Sequence, residues 1–174
     1  MAAGADEPVL TFRAARRDEL NGALEVWRAA NTARGLAPSP ARIARVRKKL
    51  ADRSSCLVVG RQEGRVIAMA LAEPGRELHG EGPIVRGVGH ISMVFVTPDR
   101  WGRGIGSRLV ETLHREMRGR GWRTASVWTR ADNQRGRRLY EASGYRLTGD
   151  AKRLPGGDEI LRYQLSLAGL SGPS

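Results

Sequence analysis

Residues 96–106 read VTPDRWGRGIG and place three glycines within five positions, between a strand-like apolar run and a helix-like run. Gly102, Gly104 and Gly106 can adopt backbone angles that other residues avoid, so successive main-chain N–H groups can point to one place at the positive end of a helix. We call residues 102–106 the glycine loop. It suits an anion such as a pyrophosphate, although an ordinary strand-to-helix connection has the same pattern.

A second informative segment lies downstream. Asn133 precedes residues 139–145, LYEASGY, which are typical of a short helix that ends at a glycine and leads into a strand. Together the two segments resemble the GNAT superfamily of N-acetyltransferases, whose motif reads roughly V-x-P-x-x-[RQ]-G-x-G-[IVL]-[GA] and then N-x-x-A-x-x-L-Y-x-x-x-G-[FY]. The resemblance covers about residues 88–149, and the N-terminal half agrees only in the order of its elements.

Two positions depart from this family motif. Trp101 stands where Arg or Gln is usual, and Gly136 stands where Ala is usual. The first departure removes a polar side chain but leaves the main-chain donors of the glycine loop unchanged.

The resemblance implies an α/β fold: one domain with a central mixed, mostly antiparallel sheet of six to seven strands, flanked by about four helices, whose central strands splay apart. Hydrophobic periodicity and turn residues predict the same kind of arrangement. The predicted strands are residues 9–14, 55–61, 65–73, 87–97, 124–129, 145–148 and 159–167. The predicted helices begin near residues 17, 40, 105 and 133, and residues 74–86 and 152–158 are predicted loops.

Length and composition agree with one domain. The 174 residues are 40% hydrophobic, enough for one core. We expect residues 9–167 to form the domain, residues 1–8 to be disordered and residues 168–174 to be a loose tail. The apolar runs are too short to span a bilayer and the start lacks a signal core, so we expect a soluble, cytoplasmic protein without a membrane partner. The single cysteine, Cys56, is interpreted as a small buried hydrophobe, not a nucleophile.

The net charge of +12 raises the question of nucleic-acid binding. The basic residues are scattered along the chain and do not gather in a tail or on one helix. Coenzyme A, with its pyrophosphate and 3′-phosphate, is a ready partner for part of this charge. We therefore expect no specific nucleic-acid partner. Members of the superfamily often dimerise, so a homodimer is possible, but no sequence feature marks an interface.

The resemblance implies acetyl-CoA as the acyl donor, and no metal. Its phosphates would meet the glycine loop, its pantetheine arm would pair with the preceding strand, and the main-chain N–H of Val94 would stabilise the oxyanion. Asn133 would contact the cofactor, although an Asn before a helix is also a common cap. The implied cofactor-binding residues are Val94, Phe95, Val96, Gly102, Arg103, Gly104, Ile105, Gly106, Ser107 and Asn133.

Two catalytic residues follow from the resemblance. Tyr140 occupies the position of the usual general acid, and a phenol with a reference pKa of about 10 is protonated at neutral pH; outside the motif it would simply be a buried aromatic. For the base, ribosomal-protein acetyltransferases place a Glu where this chain has Trp128. Histone acetyltransferases place one at the position of His90, six residues before Val96. A neutral histidine is a competent base. Glu73 is the reserve, and a water chain is the third option.

The expected function is therefore transfer of an acetyl group to a primary amine by direct attack in a ternary complex. A non-catalytic acyl-CoA sensor is the alternative, because it would need the same glycine loop. The sequence does not identify the acceptor: small amines, amino acids, antibiotics and peptide N-termini all remain open. Its pocket is expected between the first two helices and the predicted loops 74–86 and 152–158.

Overall fold

Seven strands form one sheet in the order β1-β2-β3-β4-β5-β7-β6 in the computed structural model, which describes residues 8–169. Four α-helices flank this sheet. The elements are β1 (Thr11–Ala14), α1 (Leu20–Ala33), α2 (Pro40–Ala51), β2 (Cys56–Gln62), β3 (Arg65–Arg76), β4 (Ile84–Val96), α3 (Ile105–Gly119), β5 (Thr124–Arg130), α4 (Gln134–Ala142), β6 (Arg146–Arg153) and β7 (Glu159–Ser166). The predicted α/β fold class is confirmed. The predictions of a disordered start at residues 1–8 and a loose tail at residues 168–174 fall almost entirely outside the described residues.

The centre of the sheet contains its parallel pair, β4 and β5, while the other neighbouring strands are antiparallel. Residues 88–91 of β4 pair with residues 124–127 of β5, and beyond them the two strands diverge. On its other side, β4 stays paired with β3 as far as Val96. The last five residues of β4 therefore have a strand neighbour on one side only, which is the splay that the family resemblance implies.

Two predicted loops are shorter than the sequence indicates. Residues 74–86 were expected to form one loop, but β3 continues to Arg76 and β4 begins at Ile84. Breaks in the β3–β4 register accommodate Pro74, and Gly75 packs so closely on Val88 that a Cβ would lie 2.5 Å from its Cγ1.

The loop predicted at residues 152–158 is shortened in the same way. The strand β6 extends to Arg153, well beyond the predicted end at residue 148. Gly149 has a φ of 90° and lies where the β6–β7 register shifts between Leu147 and Ala151. This shift lets pairing resume after the glycine.

The two faces of the sheet are covered to different extents. On one face, α3 packs Leu109, Leu113 and Met117 against the core. On the other face, α1 and α2 cover β2, β3 and β4 with residues such as Trp27 and Leu50. Beyond β4 that second face carries polar or amphipathic side chains of β5 and β7, namely Ser126, Trp128, Arg162 and Gln164. They form the floor of an open cavity.

Cys56 is buried in the core, and burial raises the pKa of its thiol to about 11. The thiol is therefore protonated at neutral pH, and no step below uses it. None of the helices within residues 8–169 is long and apolar enough to cross a membrane.

Candidate functional site

The glycine loop joins the end of β4 to the start of α3. Gly102 has a φ of 77° and Gly104, the N-cap of α3, has a φ of 71°. A Cβ at either position would meet open space, so glycine is required there by backbone conformation and not by crowding. The first N–H groups of α3 have no acceptors within the helix and lie at its positive end. The loop is thus arranged to bind an anion through main-chain donors.

The main chain of β4 leads to this loop. The Thr97 N–H donates to the Ile67 carbonyl of the neighbouring chain segment at 2.9 Å. Because alternate residues of an antiparallel strand bond the same neighbour, Phe95 and Met93 also face β3, and the main-chain groups of Val96 and Val94 face the opposite side. The Trp101 indole N–H donates to the Val96 carbonyl at 2.8 Å, in agreement with that direction.

A first cavity of about 470 Å³ occupies the gap between the diverging strands. It extends from the glycine loop along the free side of β4 to α4. Every cofactor-binding residue implied by the sequence lines it, except Arg103. These residues are Val94, Phe95, Val96, Gly102, Gly104, Ile105, Gly106, Ser107 and Asn133. The glycine loop and the free main chain of β4 therefore face one continuous groove, which fits a long ligand with an anionic end.

Tyr140 also lines the first cavity and comes from α4. It is buried, with its ring centroid 5.5 Å from that of Tyr145 and 6.4 Å from that of Tyr163. Burial raises the pKa of Tyr140 well above its ordinary value, while the nearby charge of Arg34 acts in the opposite direction. The phenol is therefore protonated throughout the neutral range and is a hydrogen-bond donor at this point of the groove.

Asn133 is the N-cap of α4. Its Oδ1 accepts a hydrogen bond from the Gly136 N–H at 3.1 Å, and its Nδ2 donates to Thr129 Oγ1 at 3.2 Å. A Cβ on Gly136 would lie 2.4 Å from Asn133 Nδ2. The glycine at position 136 thus gives the Asn133 amide room to adopt this capping position, which accounts for that departure from the family motif.

A second cavity of about 670 Å³ lies on the uncovered face of the sheet. Ser92 and Trp128 line both cavities, so the two meet where β4 and β5 separate. The walls of the second cavity come from the end of α2 and from the long β3–β4 hairpin, and they include Lys49, Glu73 and His79. Of the segments from which an acceptor pocket was expected, α2 and the β3–β4 hairpin line this cavity, whereas α1 and residues 152–158 do not.

His90 lines the second cavity and not the first. It lies in a cross-strand row in which Glu73, His90 and Ser126 are direct register partners. Its Nδ1 is 3.1 Å from Ser126 Oγ, and burial lowers the pKa of His90, with Lys49 acting in the same direction and Glu73 opposing it. The imidazole is therefore neutral at physiological pH.

The other predicted base, Glu73, accepts a hydrogen bond from Lys49 Nζ at 2.8 Å. This ion pair occupies one of the two carboxylate oxygens of Glu73. The structure thus places Tyr140 in one cavity and both predicted bases in the other, with Ser92 and Trp128 at the junction.

Several residues of the site carry no sequence signal. Arg34, the C-cap of α1, and Arg135, in the first turn of α4, both line the first cavity. In a chain with 30 basic residues, single arginines are not conspicuous. His79 packs edge-on against Trp128 at 5.2 Å between ring centroids, and it follows Leu78 with both residues at positive φ. Only the folded hairpin brings His79 to the junction.

A sheet with splayed central strands and a glycine loop at a helix N-terminus defines the acetyltransferase class of α/β proteins. The model of the Acetyltransferase (GNAT) family matches residues 20–145, and the chain belongs to this family. It is therefore an acyltransferase, of a family that uses acetyl-CoA and acts on amine acceptors. No match was found among curated proteins.

Solved structures with the same fold share little sequence with the chain. The ribosomal-protein-S18-alanine N-acetyltransferase of Escherichia coli has a TM-score of 0.73 and 20% identity, over 94% of this chain and 97% of that one. An N-acetyltransferase of Staphylococcus aureus Mu50 has a TM-score of 0.70 and 21% identity, over 91% of this chain and 99% of that one. The Salmonella typhimurium protein yncA, solved with its cofactor acetyl-CoA, has a TM-score of 0.71 and 20% identity, over 95% of this chain and 98% of that one. At this level of identity the likeness shows the fold alone.

Proposed function

We propose that the chain is an acetyl-CoA-dependent N-acetyltransferase that transfers the acetyl group directly to a primary amine in a ternary complex. One observation carries the proposal: the first cavity, in the gap between β4 and β5, and the second cavity, on the uncovered face of the sheet, meet at Ser92 and Trp128. Two substrates, one bound in each cavity, would react at that point. A covalent enzyme intermediate is unnecessary, because the buried Cys56 lines neither cavity.

The first cavity is the proposed donor site. Acetyl-CoA supplies an activated thioester there. The glycine loop would hold the pyrophosphate through main-chain N–H groups, and the free main chain of Val94 and the N–H of Val96 would pair with the pantetheine arm. The Val94 N–H would stabilise the negative charge that develops on the thioester oxygen. The side chain of Asn133 already forms hydrogen bonds as the cap of α4, so it would contribute by positioning α4 and Tyr140.

Tyr140 is the proposed general acid. A buried phenol of raised pKa holds its proton at all working pH values, so it can donate to the departing sulfur. The raised pKa also means that full transfer of the proton is uphill. Hydrogen bonding to the thiolate is therefore the larger part of the contribution that we assign to Tyr140.

His90 is the proposed base for the amine. An alkylammonium with a pKa near 10.4 costs roughly 4 to 5 kcal/mol to deprotonate at pH 7, so a proton acceptor beside the second cavity is useful. His90 is neutral, lines that cavity and has one nitrogen beside Ser126 Oγ, which orients the ring. Glu73 is less suited because it is paired with Lys49. A water could relay the proton from the junction to His90.

The experiment has two parts on the same protein. Calorimetry measures binding of CoA and acetyl-CoA, and thiol release is then measured with a panel of amines that includes small amines, amino acids, an aminoglycoside and a peptide with a free N-terminus. Binding followed by turnover with at least one amine supports the proposal. Binding without turnover for every amine supports the sensor, and absence of binding removes both.

A further inference from the structure

Two arginines from distant parts of the chain meet on the indole of Trp101. Arg135 Cζ lies 5.2 Å from a ring centroid of Trp101 and Arg34 Cζ lies 6.0 Å from it. Arg34 Cζ also lies 5.6 Å from the Phe95 ring. Both guanidiniums are within range of cation–π attraction to the indole. We call Arg34, Arg135 and Trp101 the indole cluster.

Among the residues that the structure describes, the indole cluster has no negative partner of its own. Other arginines are paired, for example Arg13 and Arg61 with Glu19. Within residues 8–169, no carboxylate forms an ion pair with Arg34 or Arg135. Partial burial lowers the pKa of Arg34, and the charge of Arg135 lowers it further. Two like charges held together beside a groove are relieved when an anion binds between them.

The position of the cluster indicates which anion. Trp101 directly precedes Gly102, and all three residues of the cluster line the first cavity together with the glycine loop. Trp101 is also held in place, because its indole N–H donates to the Val96 carbonyl. The chain therefore places two guanidiniums beside the loop at the position where the family carries a polar side chain.

We propose that Arg34 and Arg135, held on the Trp101 indole, bind the pyrophosphate of acetyl-CoA together with the glycine loop. They would replace the Arg or Gln that the family motif has at position 101. This inference rests on the proposed function, because it assumes that the first cavity is the donor site. Its ligand chemistry is a diphosphate, recognised by guanidinium hydrogen bonds and charge.

The proposed role of the two arginines is tested by measuring how coenzyme A and its fragments bind to the unliganded protein. Calorimetry is done with CoA, with dephospho-CoA, which lacks the 3′-phosphate, and with pantetheine, which lacks all phosphates. Arg34→Ala and Arg135→Ala are each expected to weaken CoA and dephospho-CoA by about tenfold and to leave pantetheine unchanged. Arg28→Ala is the matched control, since Arg28 lies in α1, the helix that Arg34 caps, carries the same charge and does not line the cavity.

Three results would overturn the inference. The first is an unchanged affinity for CoA in both Arg34→Ala and Arg135→Ala. The second is an equal loss of CoA affinity in Arg28→Ala, which would indicate an effect of the overall charge alone. The third is a loss of affinity for CoA but not for dephospho-CoA, which would assign the arginines to the 3′-phosphate. Failure of the wild-type protein to bind CoA is a different outcome, because it removes the proposed function itself.

The role of the indole is tested by a double-mutant cycle. If Trp101 holds the guanidinium in place, Arg34→Ala is expected to cost about tenfold in CoA affinity with Trp101 present and less than about twofold in a Trp101→Leu background. An equal loss of CoA affinity with Trp101 present and in the Trp101→Leu background would show that the indole does not hold the guanidinium in place. Circular dichroism of each variant establishes that the fold is retained.

Discussion

The two cavities that meet at Ser92 and Trp128 are built from different parts of the polypeptide. More than half of the residues that line the first cavity come from one stretch of sequence, residues 91–107, which contains the free main chain of β4 and the glycine loop. The second is formed by side chains of α2, the β3–β4 hairpin, β5 and β7. Main-chain recognition requires only that the backbone take a given path, whereas side-chain recognition depends on each residue. The first cavity therefore depends in large part on a motif, and the second depends on side chains that separate elements supply.

The largest expected effect is on Tyr140, which belongs to the first cavity. Tyr140→Phe is expected to lower kcat by about 100-fold, because the sulfur loses its proton donor. The Kd of acetyl-CoA, measured by calorimetry, should change less than twofold, since the ring and its packing remain. An unchanged kcat would make Tyr140 a purely structural residue. Tyr145→Phe is the control, as its hydroxyl meets His114 at 2.7 Å in the core and not the groove.

The next effect tests whether the first cavity depends on backbone conformation. Gly104→Ala forces a side chain into a φ of 71°, which costs about 1 to 2 kcal/mol in that conformation, so CoA affinity is expected to fall by about tenfold. Calorimetry gives the Kd, and thermal melting reports the fold. Gly119→Ala, in the same helix and also with open space around its Cβ, should leave the Kd unchanged. Equal affinity in both variants would show that the loop does not bind the phosphates.

The third effect belongs to the second cavity and depends on pH. Burial lowers the pKa of His90, so the neutral base is fully present above its ordinary value of about 6.5 and is lost only at lower pH. Without this base, turnover must rely on the small fraction of free amine. His90→Ala is expected to be about tenfold slower at pH 7 and to approach the wild-type rate near pH 10.

The same pH–rate measurement identifies the alternative base. If the loss appears in Glu73→Gln and not in His90→Ala, Glu73 is the base. A parallel profile for wild type and both variants would leave water as the acceptor. Ser126→Ala, which removes the hydroxyl beside His90 Nδ1, is expected to give a smaller loss of the same pH dependence.

The smallest effect concerns the Gly136 departure. Gly136→Ala restores the family residue and gains up to about 1 kcal/mol of helix propensity, but its Cβ displaces the Asn133 amide from its capping position, which costs a similar amount. The Tm is therefore expected to change by less than about 4 °C. A drop well beyond this would show that the Asn133 cap stabilises α4 more than a typical cap does. Asn133→Ala alone, measured by the same melting experiment, supplies the reference.

The predicted and observed folds agree where the local pattern was strong. Periodic apolar residues placed α3, and β-branched runs placed β2 and β3, within a few residues of their observed ends. The prediction was wrong at Pro74 and Gly75, because turn residues were taken to end a strand that continues through an irregular register. Propensity describes one segment at a time, and the pairing of β3 with β4 overrides it.

The same contrast holds for the site. Val94, Gly102 and Gly104 are recognisable because their spacing along one chain segment fixes their geometry, and Tyr140 is recognisable because it belongs to the second motif segment, residues 133–145. Arg34, His79 and Arg162 enter the two cavities from separate elements, and no spacing connects them. His90 is intermediate, since its strand and its role as base are predictions from the sequence, whereas its alignment with Glu73 and Ser126 is visible only in the fold.

By itself, the sequence determined the order of the elements, the backbone path of the glycine loop and the acyl-transfer family, because each depends on residues within a few positions of one another. Only the tertiary structure decided that β4 and β5 separate after Ile91, that two cavities meet there and that three segments converge on Trp101. Those features arise from how far each strand stays paired with its neighbour and from which half of the sheet the helices cover, and both are set by long-range packing.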